Sequence, residues 1–256
     1  MDDIENAKFN GRLQYYKAKE IWEDAGKEEK IEGGIDTELI SHDFSDIVVD
    51  PDFAFGRKDA ETNGACHGMA FFKGTPVDGK GAPIGVNEFG ILCSLIIKNG
   101  EKLLSKFKNE TYRKDVEKKY KLQYPKHIVF ETARGLILST HMIDKIIFPK
   151  FIEKGIAEMK SQYKNGALRE LPWTAHILPI QLARLGNICF VGFPGELTTI
   201  AGKRLEQMIA EELKPAGIEH IIICSYANNY LGYCTTWEEY QAQCYEGGHT
   251  VFGQWT

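Results

Sequence analysis

The order of patterns in the last third of the chain constrains the fold most. Two apolar, strand-like runs, HILPIQLARL and ICFVGF, are joined by only Gly186 and Asn187, a connection typical of a tight β-hairpin. The segment that follows, PGELTTIAGKRLEQMIAEELK, repeats apolar residues every three or four positions. That spacing predicts a helix with one buried face. A hairpin followed by such a helix predicts a sheet with a helix packed on it.

The strand, loop and helix order then repeats. Thr198 or Thr199 is the candidate N-cap of the first helix, and Pro215 and Gly217 end it. The run IEHIIICSYA predicts another buried strand, and NNYLGYC a loop. A further helix follows, and we expect its apolar face to carry the residues Trp237, Tyr240, Cys244 and Tyr245.

Two overlapping capping boxes mark the start of that last helix. Thr235 pairs with Glu238 in one of them, and Thr236 pairs with Glu239 in the other. Either pair would satisfy backbone N–H groups in the first turn, so the sequence leaves the choice open.

Upstream patterns are mixed. Near-helical spacing predicts an amphipathic helix over residues 4–25. Helices are also predicted over residues 88–108 and 111–122, and Pro125 ends the helix over 111–122. GGIDTELISHDFSDIVVDPDF reads as extended structure, and the glycine-rich CHGMAFFKGTPVDGKGAPIG as a loop-rich strand region. HIVF and IIFPKFI fit either a strand or a helix. Together the patterns predict a mixed α/β fold with hairpins and strand–loop–helix units, forming a single domain portion over residues 1–256.

Composition excludes several functions. A formal net charge of −5 gives no electrostatic footprint for nucleic acid, and the lysines of KFKNETYRKDVEKKYK alternate with acids, as on a solvated helix face. No segment approaches the roughly 18 uninterrupted apolar residues that a membrane span requires. The first residues show neither the basic nor the apolar region of a secretory signal.

Six cysteines are present without CxxC or zinc-finger spacing. Cys189 and Cys224 lie in apolar runs, where a reduced cysteine behaves as a small hydrophobic residue. The disulfide state of the six cysteines stays open.

Two side chains that could take part in catalysis or ligand binding come just after predicted strands, namely Glu196 in PGEL and Tyr233 in LGYC. Loops that lead from strand ends into helices are common ligand sites in α/β proteins. Each of the two residues also has a purely structural explanation. Glu196 could be a first-turn acid that complements a helix dipole, worth about 0.3 to 1 kcal/mol, and Tyr233 could be a buried aromatic.

Several familiar active-site motifs are missing from the sequence. GELTTIAGKR is not a phosphate-binding loop, because Arg204 replaces the required serine or threonine. HExxH, GxSxG and GxGxxG do not occur, and no two of the seven histidines are three or four residues apart. The sequence therefore shows no self-contained active site.

Long segments of the chain nevertheless resemble a known family. FPGELTTIAGKRL and YANNYLGYCTTWEEYQAQCYEGGHTVFGQWT are similar to two signature segments of the neutral (non-lysosomal) ceramidases. DDIENAKFNGRLQYYKAKE, DFSDIVVD, CHGMAFFKGTPVDG and PWTAHILPIQLARLG are similar to other parts of the same family. The resemblance implies a zinc-dependent amidase that cleaves ceramide into sphingosine and a fatty acid.

The resemblance also implies roles for individual residues. Glu196 matches a glutamate that ligates zinc, and Tyr233 matches a tyrosine that ligates zinc through its phenol. Tyr245 matches a tyrosine beside the scissile amide. By the same comparison, Tyr226, Tyr230 and Tyr240 are expected to be packing residues.

These residue types suit the implied chemistry. Zinc with an open coordination position lowers the pKa of bound water toward about 7 and polarises a carbonyl group. A carboxylate is an ordinary zinc ligand, whereas a phenol with a pKa near 10 binds well only when the metal's charge favours its ionised form. A second tyrosine that donates to an oxyanion commonly contributes about 3 kcal/mol.

Departures from the family are equally informative. The family's two zinc-binding histidines and its active-site serine belong to upstream segments without counterparts here, and His67 matches neither histidine motif. The resemblance therefore implies the C-terminal half of a catalytic domain, without its N-terminal half and without an immunoglobulin-like tail. We expect the isolated chain to be inactive or nearly so. The expected partners are the N-terminal half and a ceramide-like substrate, and the parent protein is expected outside the cytoplasm: secreted, periplasmic or surface-associated.

Two other hypotheses remain open at this point. The chain could be a noncatalytic relative that keeps the scaffold and binds a lipid or a protein partner. Alternatively, it could be a complete domain acting on a different N-acyl amide.

Overall fold

The computed structural model describes residues 2–75, 85–132 and 174–256, together with Glu158, Ser161 and Asn165. Within these residues the predicted mixed α/β fold is confirmed. The ambiguous run IIFPKFI and residues 76–84 of the glycine-rich region lie outside the described residues.

The helices and strands are named here in chain order. They are α1 (Asp3–Asp24), β1 (Ile35–Asp43), β2 (Cys66–Gly68), α2 (Met69–Lys73), α3 (Val86–Ser105), α4 (Glu110–Leu122), β3 (Ile128–Glu131), β4 (Ile177–Leu185), β5 (Ile188–Gly192), β6 (Glu196–Leu197), α5 (Thr199–Leu213), β7 (His220–Cys224), β8 (Tyr233–Cys234), α6 (Trp237–Ala242) and α7 (Tyr245–Gly248).

The main sheet of the described chain has four strands in the order β1, β4, β5, β7. β4 is antiparallel to both β1 and β5, whereas β7 is parallel to β5. The hairpin between β4 and β5 is confirmed, with Leu185 opposite Ile188. Gly186 is required in its turn, because it has a φ of 59° and an added Cβ would lie 2.4 Å from the backbone oxygen of Glu32.

Helix α5 connects β6 to β7 and packs on the sheet. Its N-cap is Thr198, whose hydroxyl accepts a hydrogen bond from the Ala201 N–H at 3.3 Å, as predicted. Ile209 and Leu213 on its apolar face pack against the buried cluster that contains Val191 and Cys189. The repeated strand–loop–helix order is therefore present in three dimensions.

The second of the two capping boxes forms at the start of α6. The Thr236 hydroxyl accepts from the Glu239 N–H at 3.2 Å, and the Glu239 carboxylate accepts from the Thr236 N–H at 2.8 Å. Tyr240 is fully buried, and its hydroxyl donates to the backbone oxygen of Gln123 at 3.0 Å. Cys244 is exposed, so the predicted apolar face of this helix is shorter than expected.

The largest buried cluster lies directly beneath the loops that precede β6 and β8. Its members are drawn from several elements: Phe44, Ala65, Leu178, Phe193, Leu231, Val251 and Phe252. Phe193 is three residues before Glu196, and Leu231 is two residues before Tyr233. The core therefore fixes the backbone that carries both candidate residues.

The glycine-rich region is only partly as predicted. Cys66–Gly68 forms strand β2 and pairs with β3, so HIVF is largely a strand. The next residues, MAFFK, form helix α2, which the sequence did not predict. Five residues are too few for helical periodicity to be recognised, and this helix is stabilised by packing against α7.

Helix α1 is present where predicted, but no residue in it is buried. Phe9 is 50% exposed and Trp22 is 81% exposed. Cys189 is buried as expected, whereas Cys224 is exposed because alternate residues of β7 point to solvent. All six cysteines have free thiols. In the described part of the chain, every helix is too short or too polar to span a bilayer.

Candidate functional site

Glu196 and Tyr233 are neighbours in the structure. β6 and β8 pair in parallel, with Glu196 opposite Tyr233. The Glu196 N–H donates to the backbone oxygen of Gly232 at 2.9 Å. The two side chains predicted as metal ligands therefore start from adjacent positions on one small sheet.

Two glycines allow the backbone segments to approach this closely. A Cβ on Gly195 would lie 2.8 Å from the Gly232 backbone oxygen, and a Cβ on Gly232 would lie 2.7 Å from the His249 backbone oxygen. Gly232 also has a φ of 86°, in the left-handed region that favours glycine. Any larger residue at either position would push β6, β8 and the C-terminal loop apart.

Three tyrosine hydroxyls surround the Glu196 carboxylate. The Tyr230 hydroxyl donates to Glu196 Oε1 at 2.5 Å, and the hydroxyls of Tyr226 and Tyr233 lie near enough to interact with the carboxylate. Burial acts to raise the pKa of Glu196, but the interactions with these three hydroxyls outweigh it and hold the pKa below its usual value. Glu196 is therefore an anion near neutral pH.

The same contacts keep the phenols protonated. Burial, followed by the hydrogen bond to Glu196, raises the pKa of both Tyr230 and Tyr233. The pKa of Tyr226 is raised chiefly by its hydrogen bond to Glu196. A cation at this site would oppose these effects, because its charge favours a phenolate.

Tyr245 joins the same cluster from the start of α7. Its ring contacts the Tyr233 ring edge-on at 5.7 Å and stacks on the Phe71 ring at 5.1 Å, both measured between centroids. All three predicted site residues, Glu196, Tyr233 and Tyr245, are therefore brought together.

Two histidines that the sequence did not nominate lie beside these tyrosines. The His249 ring stacks on Phe71 with centroids 4.2 Å apart and lies 6.0 Å from the Tyr233 ring. The His67 ring lies 5.0 Å from that of His249. Their positions are far apart in the sequence, so a search for histidines three or four residues apart could not find them.

Both histidines carry a buried nitrogen without a hydrogen-bond partner in the described structure, Nε2 of His67 and Nδ1 of His249. Burial lowers the pKa of His67 to about 3 and that of His249 to about 4. Each imidazole is therefore neutral near pH 7.

Lys126 binds the backbone next to each of the two histidines. Its ammonium donates to the backbone oxygens of Cys66 at 2.9 Å and Thr250 at 2.7 Å, and to Gln123 Oε1 at 3.0 Å. Cys66 and Thr250 are the chain neighbours of the two histidines. Burial lowers the pKa of Lys126 to about 7, while its three acceptors favour the ammonium, which alone has three N–H donors.

The residues present fit part of a zinc site. In the described ranges, no group of three or more histidine, cysteine, aspartate or glutamate side chains is arranged to hold a metal ion. Glu196 and Tyr233 provide one ionised carboxylate and one phenol side by side. Both are oxygen donors of the kind that zinc accepts, and they would fill two positions of a four-coordinate shell.

The structure decides between the alternatives for several residues. Glu196 is not a first-turn helix acid, because it lies in β6, and α5 begins only at Thr199. Tyr240 is a buried packing residue as expected, whereas Tyr226 and Tyr230 are 63% and 44% exposed and contact Glu196. The packing prediction is therefore wrong for Tyr226 and Tyr230.

Sequence comparisons point to one family. Residues 153–256 match the family model described as neutral/alkaline non-lysosomal ceramidase, N-terminal. Neutral ceramidase from Pseudomonas aeruginosa is 29% identical over 256 residues, covering 100% of this chain and 31% of that protein. Neutral ceramidase from Oryza sativa subsp. japonica is also 29% identical, covering 100% of this chain and 28% of that protein.

Solved structures agree with the sequence comparisons. The crystal structure of neutral ceramidase from Pseudomonas aeruginosa aligns with a TM-score of 0.62 and 25% identity, covering 99% of this chain and 30% of that one. A ceramidase complexed with C2 aligns with a TM-score of 0.57 and 27% identity, covering 91% and 30% of the two chains.

Fold and site together define a mixed α/β protein that gathers a carboxylate, phenols and imidazoles where two short parallel strands meet. The comparisons make the likeness specific: residues 153–256 match the neutral/alkaline ceramidase family model, and the whole chain is similar to neutral ceramidases. It spans about a third of the length of the curated relatives it matches.

Proposed function

We propose that this chain forms part of a zinc-dependent amide hydrolase that cleaves ceramide-like N-acyl sphingoid lipids into a sphingoid base and a fatty acid. The pairing of Glu196 with Tyr233 carries the proposal, because two residues far apart in the sequence meet where the family resemblance requires it. The names of the related proteins support the same substrate class.

In this proposal Glu196 and Tyr233 hold the metal. Bound zinc would supply a more acidic water and polarisation of the amide carbonyl. Glu196 contributes a full negative charge at neutral pH, since its tyrosine partners keep it ionised. The charge of a bound cation would favour the ionised form of the Tyr233 phenol, which lies beside that carboxylate.

Tyr245 is proposed to assist at the scissile amide. Its ring is held between the Phe71 face and the Tyr233 edge, which fixes its position relative to the proposed ligands. A tyrosine hydroxyl placed there would donate a hydrogen bond as the carbonyl oxygen gains negative charge. Such a donor contributes about 3 kcal/mol to transition-state stabilisation.

The proposal assigns the remaining zinc ligands to a separate part of the catalytic domain, the N-terminal half. The partial length of this chain relative to its relatives supports such a partner, and so do apolar side chains on its surface. Ile35 is 83% exposed and Leu39 is 53% exposed on β1, and no residue of α1 is buried. Exposed apolar patches of this kind mark interaction surfaces. On this proposal the isolated chain is inactive or nearly so.

An extracytoplasmic location of the parent protein stays a prediction from the family resemblance. The interpretation of residues 1–256 as a single domain portion also stays a prediction.

Ceramide hydrolysis tests the proposal directly. We expect little turnover by the isolated chain and zinc-dependent turnover when the N-terminal half is added. Glu196→Gln and Tyr233→Phe should each abolish most of that activity. Glu238→Gln is a matched control, since Glu238 is an exposed carboxylate paired with Arg204. Rapid turnover by the chain alone, or full activity of Glu196→Gln, would contradict the proposal.

The noncatalytic hypothesis predicts a different result from the same material. A scaffold relative would be a compact monomer without the N-terminal half and would bind no stoichiometric zinc. Analytical ultracentrifugation of the purified chain, and metal analysis after the N-terminal half has been added, distinguish it from the hydrolase.

A further inference from the structure

Tyr230 has a contact that a packing residue does not need. Its hydroxyl donates to Glu196 Oε1 at 2.5 Å, although the side chain is 44% exposed and could bond to water instead. The bond joins Tyr230, in the loop before β8, to Glu196 at the start of β6. Some feature of the backbone must hold the phenol in this direction.

The loop before β8 is bound tightly to the turn before β6. The Tyr226 N–H donates to the Gly195 oxygen at 3.1 Å, and the Leu231 N–H donates to the Pro194 oxygen at 2.7 Å. The Tyr230 N–H itself donates to the Asn229 side chain at 2.8 Å. Tyr230 is therefore fixed relative to Glu196 at both ends of its loop.

Backbone strain in the loop supports a functional constraint. Tyr226 has a φ of 60° and Asn228 a φ of 65°, both in the left-handed region. Asn228 tolerates this conformation better than tyrosine does, and its side chain donates to Gln181 Oε1 at 3.1 Å. Strain of this kind persists when surrounding contacts enforce it, and it is frequent at ligand sites.

Two rings are neighbours of the Tyr230 ring. The Tyr226 ring is parallel to it within 4° with centroids 6.3 Å apart. The His249 ring lies 6.2 Å from it. The phenol therefore has aromatic neighbours from two segments while its hydroxyl donates to the carboxylate.

We propose that Tyr230 is a positioning residue that fixes the Glu196 carboxylate in the orientation required to bind a divalent cation. It acts through Glu196 and does not itself bind the metal. The inference rests on the proposed function, in which Glu196 is a zinc ligand. Hydrogen-bonding partners of metal ligands commonly contribute about 10- to 100-fold to metal affinity, because they hold the ligand in place.

Zinc binding to the chain combined with the N-terminal half tests this inference, measured by competition with a chromophoric chelator. Tyr230→Phe removes only the hydroxyl and should weaken zinc binding by about 10- to 100-fold with little change in melting temperature. Tyr240→Phe is the matched control, since it removes a buried hydroxyl that donates to Gln123 and not to Glu196. It should lower the melting temperature and leave zinc affinity unchanged.

A spectroscopic readout separates orientation from stability. With Co²⁺ in place of zinc, the visible ligand-field bands report the geometry of the coordinating groups. We expect Tyr230→Phe to change their positions or intensities, and Tyr240→Phe to leave them as in the unmodified chain.

Glu196→Gln distinguishes failure of the inference from failure of the proposed function. If Glu196→Gln loses zinc while Tyr230→Phe binds it with full affinity and an unchanged Co²⁺ spectrum, the positioning role is wrong and the zinc site stands. Should Glu196→Gln combined with the N-terminal half bind zinc normally, or the unmodified chain combined with that half bind none, the zinc site and the positioning role are both wrong.

Discussion

The C-terminal region, residues 174–256, and helix α1 use the same kind of sequence pattern with opposite results. Leu178, Tyr240 and Phe252 in the C-terminal region are fully buried, whereas none of the 22 residues of α1 is buried. Both regions were predicted from apolar periodicity. The contrast shows that periodicity predicts which face of a helix is apolar, while burial depends on what the rest of the molecule places against it.

Local stabilisation of the two regions differs accordingly. Exposed pairs such as Lys8 with Glu5 support α1, and such pairs contribute about 0 to 1 kcal/mol each. The C-terminal region is fixed by buried rings and by the Lys126 hydrogen bonds. We therefore expect substitutions to have unequal effects in the two regions.

The largest difference is expected for paired phenylalanine truncations. Phe252→Ala should lower the free energy of unfolding by about 3 to 5 kcal/mol, because Phe252 is fully buried against Phe44. Phe9→Ala on α1 should change it by less than about 0.5 kcal/mol. Urea denaturation followed by circular dichroism measures both. Comparable losses at the two positions would show that α1 is part of the cooperative core.

Removal of a buried ammonium should have the next largest effect. Lys126→Met removes the ammonium that donates to the backbone oxygens of Cys66 and Thr250 and should cost about 2 to 4 kcal/mol. Lys8→Met is the control on α1, where the ion pair is exposed, and should cost less than about 0.5 kcal/mol. If Lys126→Met and Lys8→Met lowered the free energy of unfolding equally in urea denaturation, the two regions would not differ in this respect.

Acid should destabilise the fold through His67. Its pKa is about 3 in the folded chain, below the ordinary histidine value, so the unfolded state binds the proton first as pH falls. Stability is therefore present above about pH 6.5 and is lost toward pH 3, by up to about 1.4 kcal/mol per pH unit. His67→Leu should flatten this slope when unfolding is measured with a chelator present. An unchanged slope would show that His67 does not contribute to it.

The smallest difference is expected at two helix caps. Thr236→Ala removes the N-cap of α6 and should lower the free energy of unfolding by about 1 kcal/mol. Asp2→Ala removes the N-cap of α1, which accepts from the Glu5 N–H at 2.8 Å, and should alter global unfolding by a few tenths of a kcal/mol at most. We expect Asp2→Ala to cause faster amide hydrogen exchange that is confined to the first turn of α1. A global loss as large as that for Thr236→Ala would contradict this view.

Much of the fold could be predicted because the decisive signals are local. The Gly186–Asn187 hairpin, the Thr198 cap and the bounds of α1 and α4 follow from a few consecutive residues. Helix α2 was missed because it is short and depends on α7. For the site, family resemblance nominated Glu196, Tyr233 and Tyr245, and the position of Tyr230 three residues before Tyr233 was its only sequence signal.

The sequence by itself determined the β4–β5 hairpin, the long helices and their apolar faces. Tertiary structure alone decided which capping box forms, that Tyr230 contacts Glu196, and that His67 meets His249. The physical reason is the distance along the chain over which each kind of interaction acts. Backbone geometry and hydrogen bonding within a turn are set by neighbouring residues, whereas the environment of a side chain is set by whichever distant segments pack around it.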